Sequence, residues 1–153
     1  MDTDKLQDIA AKTGAQISSN RNLTTVFVSS EKARDTCRMI TAEMPDFYHL
    51  STITGVDEGN SIDICYHFWK GVEFLTVKTS VPKENPVIDT ISDMLPAALL
   101  YEAEVKDLLG VTFKGNSMGD RKLVLPDTYP PQAPPPLRKE ANPEEIRKMM
   151  GLE

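Results

Sequence analysis

Three carboxylates crowd one short stretch of the chain, Glu102, Glu104 and Asp107. On a helix Glu104 and Asp107 stand three apart and can share a face, which gives the group the composition of a hard-metal or acid–base site. No histidine stands near enough in sequence to complete such a site, and a solvated helix face accounts for the same residues. The thiols are Cys37 and Cys65, each inside an apolar pattern, and read as reduced buried residues. Two cysteines fall short of the four thiolates that an iron–sulfur cluster takes. His67 alternates with apolar neighbours as a structural histidine does, and no Ser–His–acid grouping can be assembled around it or His49. Gly115-Asn116-Ser117-Met118-Gly119-Asp120 comes nearest to a phosphate loop, but no helix opening on Lys-Ser/Thr follows it, so it reads as a surface turn. These residue types argue against an active site of the chain's own, and catalytic, cofactor-binding and metal-binding residues are expected to be none.

The elements that would position these groups are legible from periodicity. Helices are expected over residues 4–13, with Leu6, Ile9 and Ala10 inward and Gly14 as the stop, and over 31–44, with Ser30 as N-cap and Pro45 as terminator. A β-rich run covers 23–29. Three strands follow at 47–56, 62–69 and 72–81, joined by the turns Asp57-Glu58-Gly59-Asn60 and Lys70-Gly71. Short turns make such strands antiparallel neighbours. Ile62, Ile64, Tyr66 and Phe68 fall on one face of the middle strand. Beyond the Pro82–Pro86 interruption a helical stretch is expected at 91–95. A helix over 97–109 then places Leu100 or Tyr101, Val105, Leu108 and Leu109 inward, and 111–113 could form a last short strand.

Composition changes at Pro126. Seven of the 11 prolines stand at 126, 130, 131, 134, 135, 136 and 143. The expectation is an extended polyproline-like segment that hangs free or lies along another protein, reaching about 50 Å at ~3.1 Å per residue. A short helix should start at Asn142-Pro143-Glu144-Glu145. The division expected is thus a domain over 1–125 and a partner-binding tail over 126–153. A net charge of −6 argues against nucleic acid, and Arg121-Lys122 and Arg138-Lys139 are too small as basic groups to reverse that. No apolar run approaches the ~20 residues of a membrane span, and the acidic start lacks a signal segment, so a cytoplasmic location is expected.

Four segments resemble one family. Tyr48 to Asp57 is similar to its "HLTDITAVD" strand, and Ile64-Cys65-Tyr66-His67-Phe68 to its "VVYHL". Residues 101–115, from Tyr101-Glu102-Ala103-Glu104-Val105 onward, resemble "YEREVYDMFGIxFxGH". Arg121 to Pro126 and Pro136-Leu137-Arg138-Lys139-Glu140 resemble "RRLLLP" and "PLRKD". On these the chain is identified as a member of the 30-kDa subunit family of respiratory complex I, shared with membrane-bound, energy-converting NiFe hydrogenases. The resemblance implies an α+β fold of two layers, in which helices pack a mixed, mostly antiparallel sheet and the proline-rich tail is extended. It implies a cofactor-free subunit of the hydrophilic electron-transfer arm, with Fe–S clusters and, in the hydrogenase branch, a NiFe centre held by partners. Those partners would be a large 49-kDa-like or NiFe-hydrogenase-like subunit, Fe–S small subunits and membrane ion-translocating subunits. The chain would sit peripherally on the cytoplasmic face.

The interface residues implied are Glu102, Glu104, Asp107, Arg121, Pro136, Leu137, Arg138 and Lys139. Of these, Arg138 and Lys139 would pair with acidic groups of the large subunit. Ala103 stands where the family often has Arg, and Asn116 to Asp120 replace an "HPDLR" run; both departures favour the hydrogenase branch over quinone-linked dehydrogenases proper. Two rivals are a free-standing enzyme built on the three carboxylates and an adaptor read through Pro134-Pro135-Pro136.

Overall fold

The computed structural model describes residues 1–47 and 49–152. Tyr48, expected in the third strand and heading the first resembling segment, lies outside the described residues, as does Glu153 at the end of the tail. Helix α1 spans Thr3–Thr13, started by the Asp2 carboxylate accepting from the Lys5 N–H and stopped by Gly14 at φ 70°. Strands β1 (Gln16–Asn20) and β2 (Leu23–Phe27) make a hairpin, and α2 covers Ser30–Glu43. Ser29, not Ser30, holds the cap position of α2, without a side-chain cap bond. A 3-10 turn at Pro45–Phe47 leads into β3 (Leu50–Asp57), β4 (Ser61–Lys70) and β5 (Glu73–Pro82). Then come β6 (Val87–Asp89), α3 (Ala98–Leu109), β7 (Thr112–Lys114) and α4 (Pro143–Met149).

The expected architecture is the observed one, a mixed, mostly antiparallel sheet packed by helices. The five strands run β1-β2-β5-β4-β3, with only β2 and β5 parallel. Val26, Val77, Tyr66 and Ile53 form one cross-strand row on the inner face, and Leu75, Phe68 and Leu50 belong to the next. All seven are buried, and α2 packs against β5 while α3 packs against β3. β6 and β7 pair in parallel as a small second sheet.

Four differences from expectation have physical reasons. β1 reads as polar, Gln-Ile-Ser-Ser-Asn, because it is an exposed edge strand; its pairing with β2 makes it a strand, not its own propensity. Residues 91–95 form one hydrogen-bonded turn, Leu95 N–H to Ile91 C=O at 2.9 Å, and not a helix; Pro96 blocks its continuation. In α3, Leu100 is 51% exposed, while Glu102, Ala103 and Asp107 are buried beside Val105 and Leu109. Cys37 is buried as expected, but Cys65 is only half-buried on the open face of the sheet; both are free thiols.

One contact fixes how α3 meets the sheet. A Cβ on Gly55 in β3 would collide with Leu109 Cδ1 and lie 3.2 Å from Val105 Cγ1. Gly55→Ala is therefore expected to destabilise the chain by about 1–3 kcal/mol through overpacking. A lower urea midpoint at unchanged slope would verify it.

Candidate functional site

Helix α3 carries the three carboxylates, and the fold sends them to three different places. Glu102 is 0% exposed. Its Oε1 accepts the Ile91 N–H at 2.8 Å, and its Oε2 accepts from Asn116 Nδ2 at 2.8 Å and from the Thr90 hydroxyl. Burial pushes this carboxyl above its ordinary pKa, although all three hydrogen bonds pull the other way. Glu102 thereby ties α3 to the turn after β6 and to the loop after β7. Arg34 of α2 holds the same turn from the other side, with Asp93 at 2.6 Å and the Thr90 carbonyl as its partners.

Asp107 is also buried, and its Oδ2 accepts three successive backbone N–H groups, Leu123 at 2.7 Å, Val124 at 2.8 Å and Leu125 at 3.3 Å. Glu104 alone is exposed, at the rim of a cavity of about 210 Å³ between β3, α3 and Leu137. The three take different partners and line different cavities, so they do not form one carboxylate cluster. A sequence signal for Glu102 existed: Ala98, Glu102, Val105 and Leu109 recur at helical spacing, and Glu102 occupies a core position in that stripe.

The tail departs most from expectation. It folds back on its own domain and does not run out as an extended arm. Turns close from Pro126 to Tyr129, Pro130 to Ala133, Pro135 to Arg138 and Arg138 to Ala141. Pro131 and Pro136 each sit second in a turn, where their fixed φ is already correct. The prolines that exclude helix and sheet thus favour compact turns. Pro134 is half-buried and its carbonyl accepts from the Tyr129 hydroxyl at 2.7 Å, so the proline run is not a free polyproline ligand.

The residues expected at an interface divide between the interior and the surface. Leu137 N–H donates to the Leu108 carbonyl at 3.0 Å, and Arg138 Nε to the Leu109 carbonyl at 2.8 Å, satisfying the C-terminal end of α3. Gly110 allows this approach: a Cβ there would lie 3.0 Å from Pro135 and 3.1 Å from the Arg138 guanidinium. Arg138 is therefore a helix cap within the chain, half-buried beside Glu140. Pro136 is half-buried, while Glu104, Arg121, Lys139 and Leu137, the last 59% exposed, remain on the surface.

Asp57, read from sequence only as a turn former, is the anchor of the tail. It accepts from Lys83 Nζ at 2.6 Å, the Gly59 N–H at 2.8 Å and the Lys139 N–H at 2.9 Å, and Lys83 also pairs with Glu140. The Lys83 ammonium, followed by the Lys139 N–H, holds the Asp57 carboxyl well below the usual carboxylate range. The unfolded chain then binds the extra proton first, so this stabilisation is present above an ordinary aspartate pKa of 3.8 and is lost as pH falls below it. Asp46, Asp93 and Glu140 are depressed too, by Lys70, Arg34 and Lys83. Asp57→Asn should accordingly reduce, without abolishing, the fall in urea midpoint between pH 6 and pH 3, and should open the tail to protease ahead of the domain.

His67 is satisfied on the open sheet face, with Nε2 to Thr54 Oγ1 at 2.9 Å and Nδ1 to Thr76 Oγ1 at 3.0 Å, and burial lowers its pKa. Among the described residues no group of three or more His, Cys, Asp or Glu is placed to hold a metal, and no helix is long and apolar enough to cross a membrane.

Comparison with known proteins agrees with this architecture. Over 105 residues the chain is 30% identical to an F(420)H(2) dehydrogenase subunit of Methanosarcina mazei, a stretch covering 66% of this chain and 65% of that one. Over 94 residues it is 36% identical to membrane-bound hydrogenase subunit beta of Pyrococcus furiosus, covering 60% and 53%. The chain thus spans between about half and two-thirds of the length of these relatives. A chain in the structure of the membrane-bound sulfane sulfur reductase, an archaeal respiratory membrane complex, superposes with a TM-score of 0.81 at 27% identity, covering 95% of this chain and 89% of that one. The trypsin-resistant fragment of Nqo5 shares the fold, with a TM-score of 0.62 at 24% identity over 76% of this chain and 98% of the fragment. Residues 26–147 match the sequence model of one family, and the chain belongs to it: the respiratory-chain NADH dehydrogenase 30 Kd subunit family.

Proposed function

We propose that this chain is a cofactor-free structural subunit in the hydrophilic electron-transfer arm of a membrane-bound energy-converting hydrogenase or a complex I-like oxidoreductase, seated against the large catalytic subunit. The observation that carries the reading is the occupancy of its buried carboxylates. Glu102, Asp107 and Asp57 each accept three hydrogen bonds from donors of the same chain. Buried carboxylates with that many internal donors hold backbone and neighbouring side chains in place, which is the work of a structural subunit. Relatives named as subunits of a hydrogenase, a dehydrogenase and a respiratory membrane complex support the same reading. In this proposal the Fe–S clusters and any NiFe centre belong to partner subunits. Attachment to the cytoplasmic face of the membrane runs through the ion-translocating subunits.

The test is to tag the chain in its native host, solubilise membranes gently and identify what co-purifies. A cysteine-rich large subunit, Fe–S small subunits and membrane subunits are expected, and the identity of the large subunit distinguishes hydrogenase from quinone-linked branches. Recovery of the chain alone from the soluble fraction would contradict the proposal.

A further inference from the structure

The loop at 121–125 has more hydrogen bonds holding its backbone than its burial explains. Asp107 takes the N–H groups of Leu123, Val124 and Leu125, and residue 126 is proline, which has none to satisfy. Lys106 Nζ bonds the carbonyls of Gly119 and Arg121 at 2.6 and 3.0 Å, fixing the approach to the loop. Lys122 Nζ bends back to the carbonyls of Pro126, Asp127 and Tyr129 at 3.3–3.4 Å. Yet Leu123 and Val124, the side chains so carefully placed, are 42% and 51% exposed. A buried carboxylate usually organises the core; here it organises a surface.

We infer that residues 121–125 are a preformed docking tip that inserts Leu123 and Val124 into an apolar depression on the large partner subunit, with Arg121 facing an acidic rim. The inference rests on the reading of this chain as a subunit. Three features fit that occupant. The N–H groups of Leu123, Val124 and Leu125 are already paired with Asp107, so these three need no partner when water leaves, and a dry apolar pocket can receive the two side chains. The backbone is held in place before binding, which removes the ordering entropy that a free loop would lose. Arg121 is exposed and has no ion-pair partner among the described residues, so a carboxylate on the rim of the depression complements it locally. An anionic lipid surface fits less well, because a broad membrane face meets the whole acidic chain, and the tip offers only Arg121 and Lys122 as cations and no aromatic ring.

The experiment compares tagged full chains purified from the native host: the natural sequence, the double variant Leu123→Asp/Val124→Asp, and Val72→Asp on the β4–β5 turn as a control for added charge. Recovery of the large subunit should fall about tenfold or more in the double variant, as expected when a central aliphatic contact is lost. It should hold for Val72→Asp, with the thermal midpoints of both variant chains unchanged. Equal recovery by the double variant would overturn the docking tip while leaving the subunit reading intact. Equal loss with Val72→Asp would overturn it as a general charge effect. Absence of the large subunit even with the natural sequence would overturn both. Retained large-subunit recovery together with lost flotation on phosphatidylglycerol/phosphatidylcholine vesicles would reassign the tip to lipid.

Discussion

Glu102→Ala is expected to lower the unfolding free energy by about 3–5 kcal/mol, a large fraction of the stability of a domain this size. The substitution removes a side chain with no exposure, strands the Ile91 N–H, and leaves Asn116 Nδ2 only the Leu99 carbonyl and the Thr90 hydroxyl only Ser92. Each orphaned buried donor costs about 1–3 kcal/mol, less whatever relaxation or an entering water recovers. Glu102→Gln keeps the volume and one acceptor oxygen, and should cost roughly a third as much, since its amide nitrogen faces a donor. The pair also differs in pH response. The folded carboxyl is raised above the ordinary 4.5, so from that pH upward the folded chain holds a proton that the unfolded chain has released. Stability from this group therefore falls as pH rises through the window, and the glutamine variant lacks that slope. Urea titrations at pH 5 and pH 8 would show the natural chain losing its advantage over Glu102→Gln at the higher pH. A larger advantage at pH 8 would show that the carboxylate, not the acid, is the form the fold prefers.

Removing residues 126–153 is expected to cut stability nearly as deeply, and not merely to weaken assembly. A free arm could be deleted without consequence for the domain. This one buries Tyr129 and Ile146, each worth about 1.5–3 kcal/mol of apolar burial. It also supplies the Leu137 and Arg138 donors that satisfy α3 at Leu108 and Leu109. Without it Asp57 keeps only Lys83 and the Gly59 N–H. The thermal midpoint should fall by roughly 10 °C or more for a chain of this length. A scan of the truncated chain decides the matter. An unchanged midpoint would mean that the tail's contacts add nothing to the domain.

The central strands were legible because β4 alternates Ile62, Ile64, Tyr66 and Phe68 with polar residues, and both of its turns are short. Helix α3 was legible in extent but not in facing. Its buried side includes two carboxylates, and hydrophobicity alone assigns such residues to water. What lets them be buried are donors at 90, 91, 116 and 123–125, whose approach depends on the loops around the helix. Asp57 was invisible for the same reason. Lys83 and Lys139 lie 26 and 82 residues away in sequence, and no local pattern announces a pairing at that distance. The tail misled through its prolines, which rule out regular structure without ruling out a chain of turns. The family resemblance singled out Glu102, Asp107 and Arg138 as interface residues, and each makes hydrogen bonds inside the chain.

In the proposed role the chain contributes structure and no chemistry. The direct measurement is electron-transfer turnover per assembled complex after replacing its reactive groups together, Cys37→Ala, Cys65→Ser and His67→Gln. Turnover is expected to stay within about twofold of the natural complex once normalised to the amount assembled, even if the yield drops. Normal assembly with turnover reduced about a hundredfold, the scale of a lost acid–base or nucleophilic group, would contradict it.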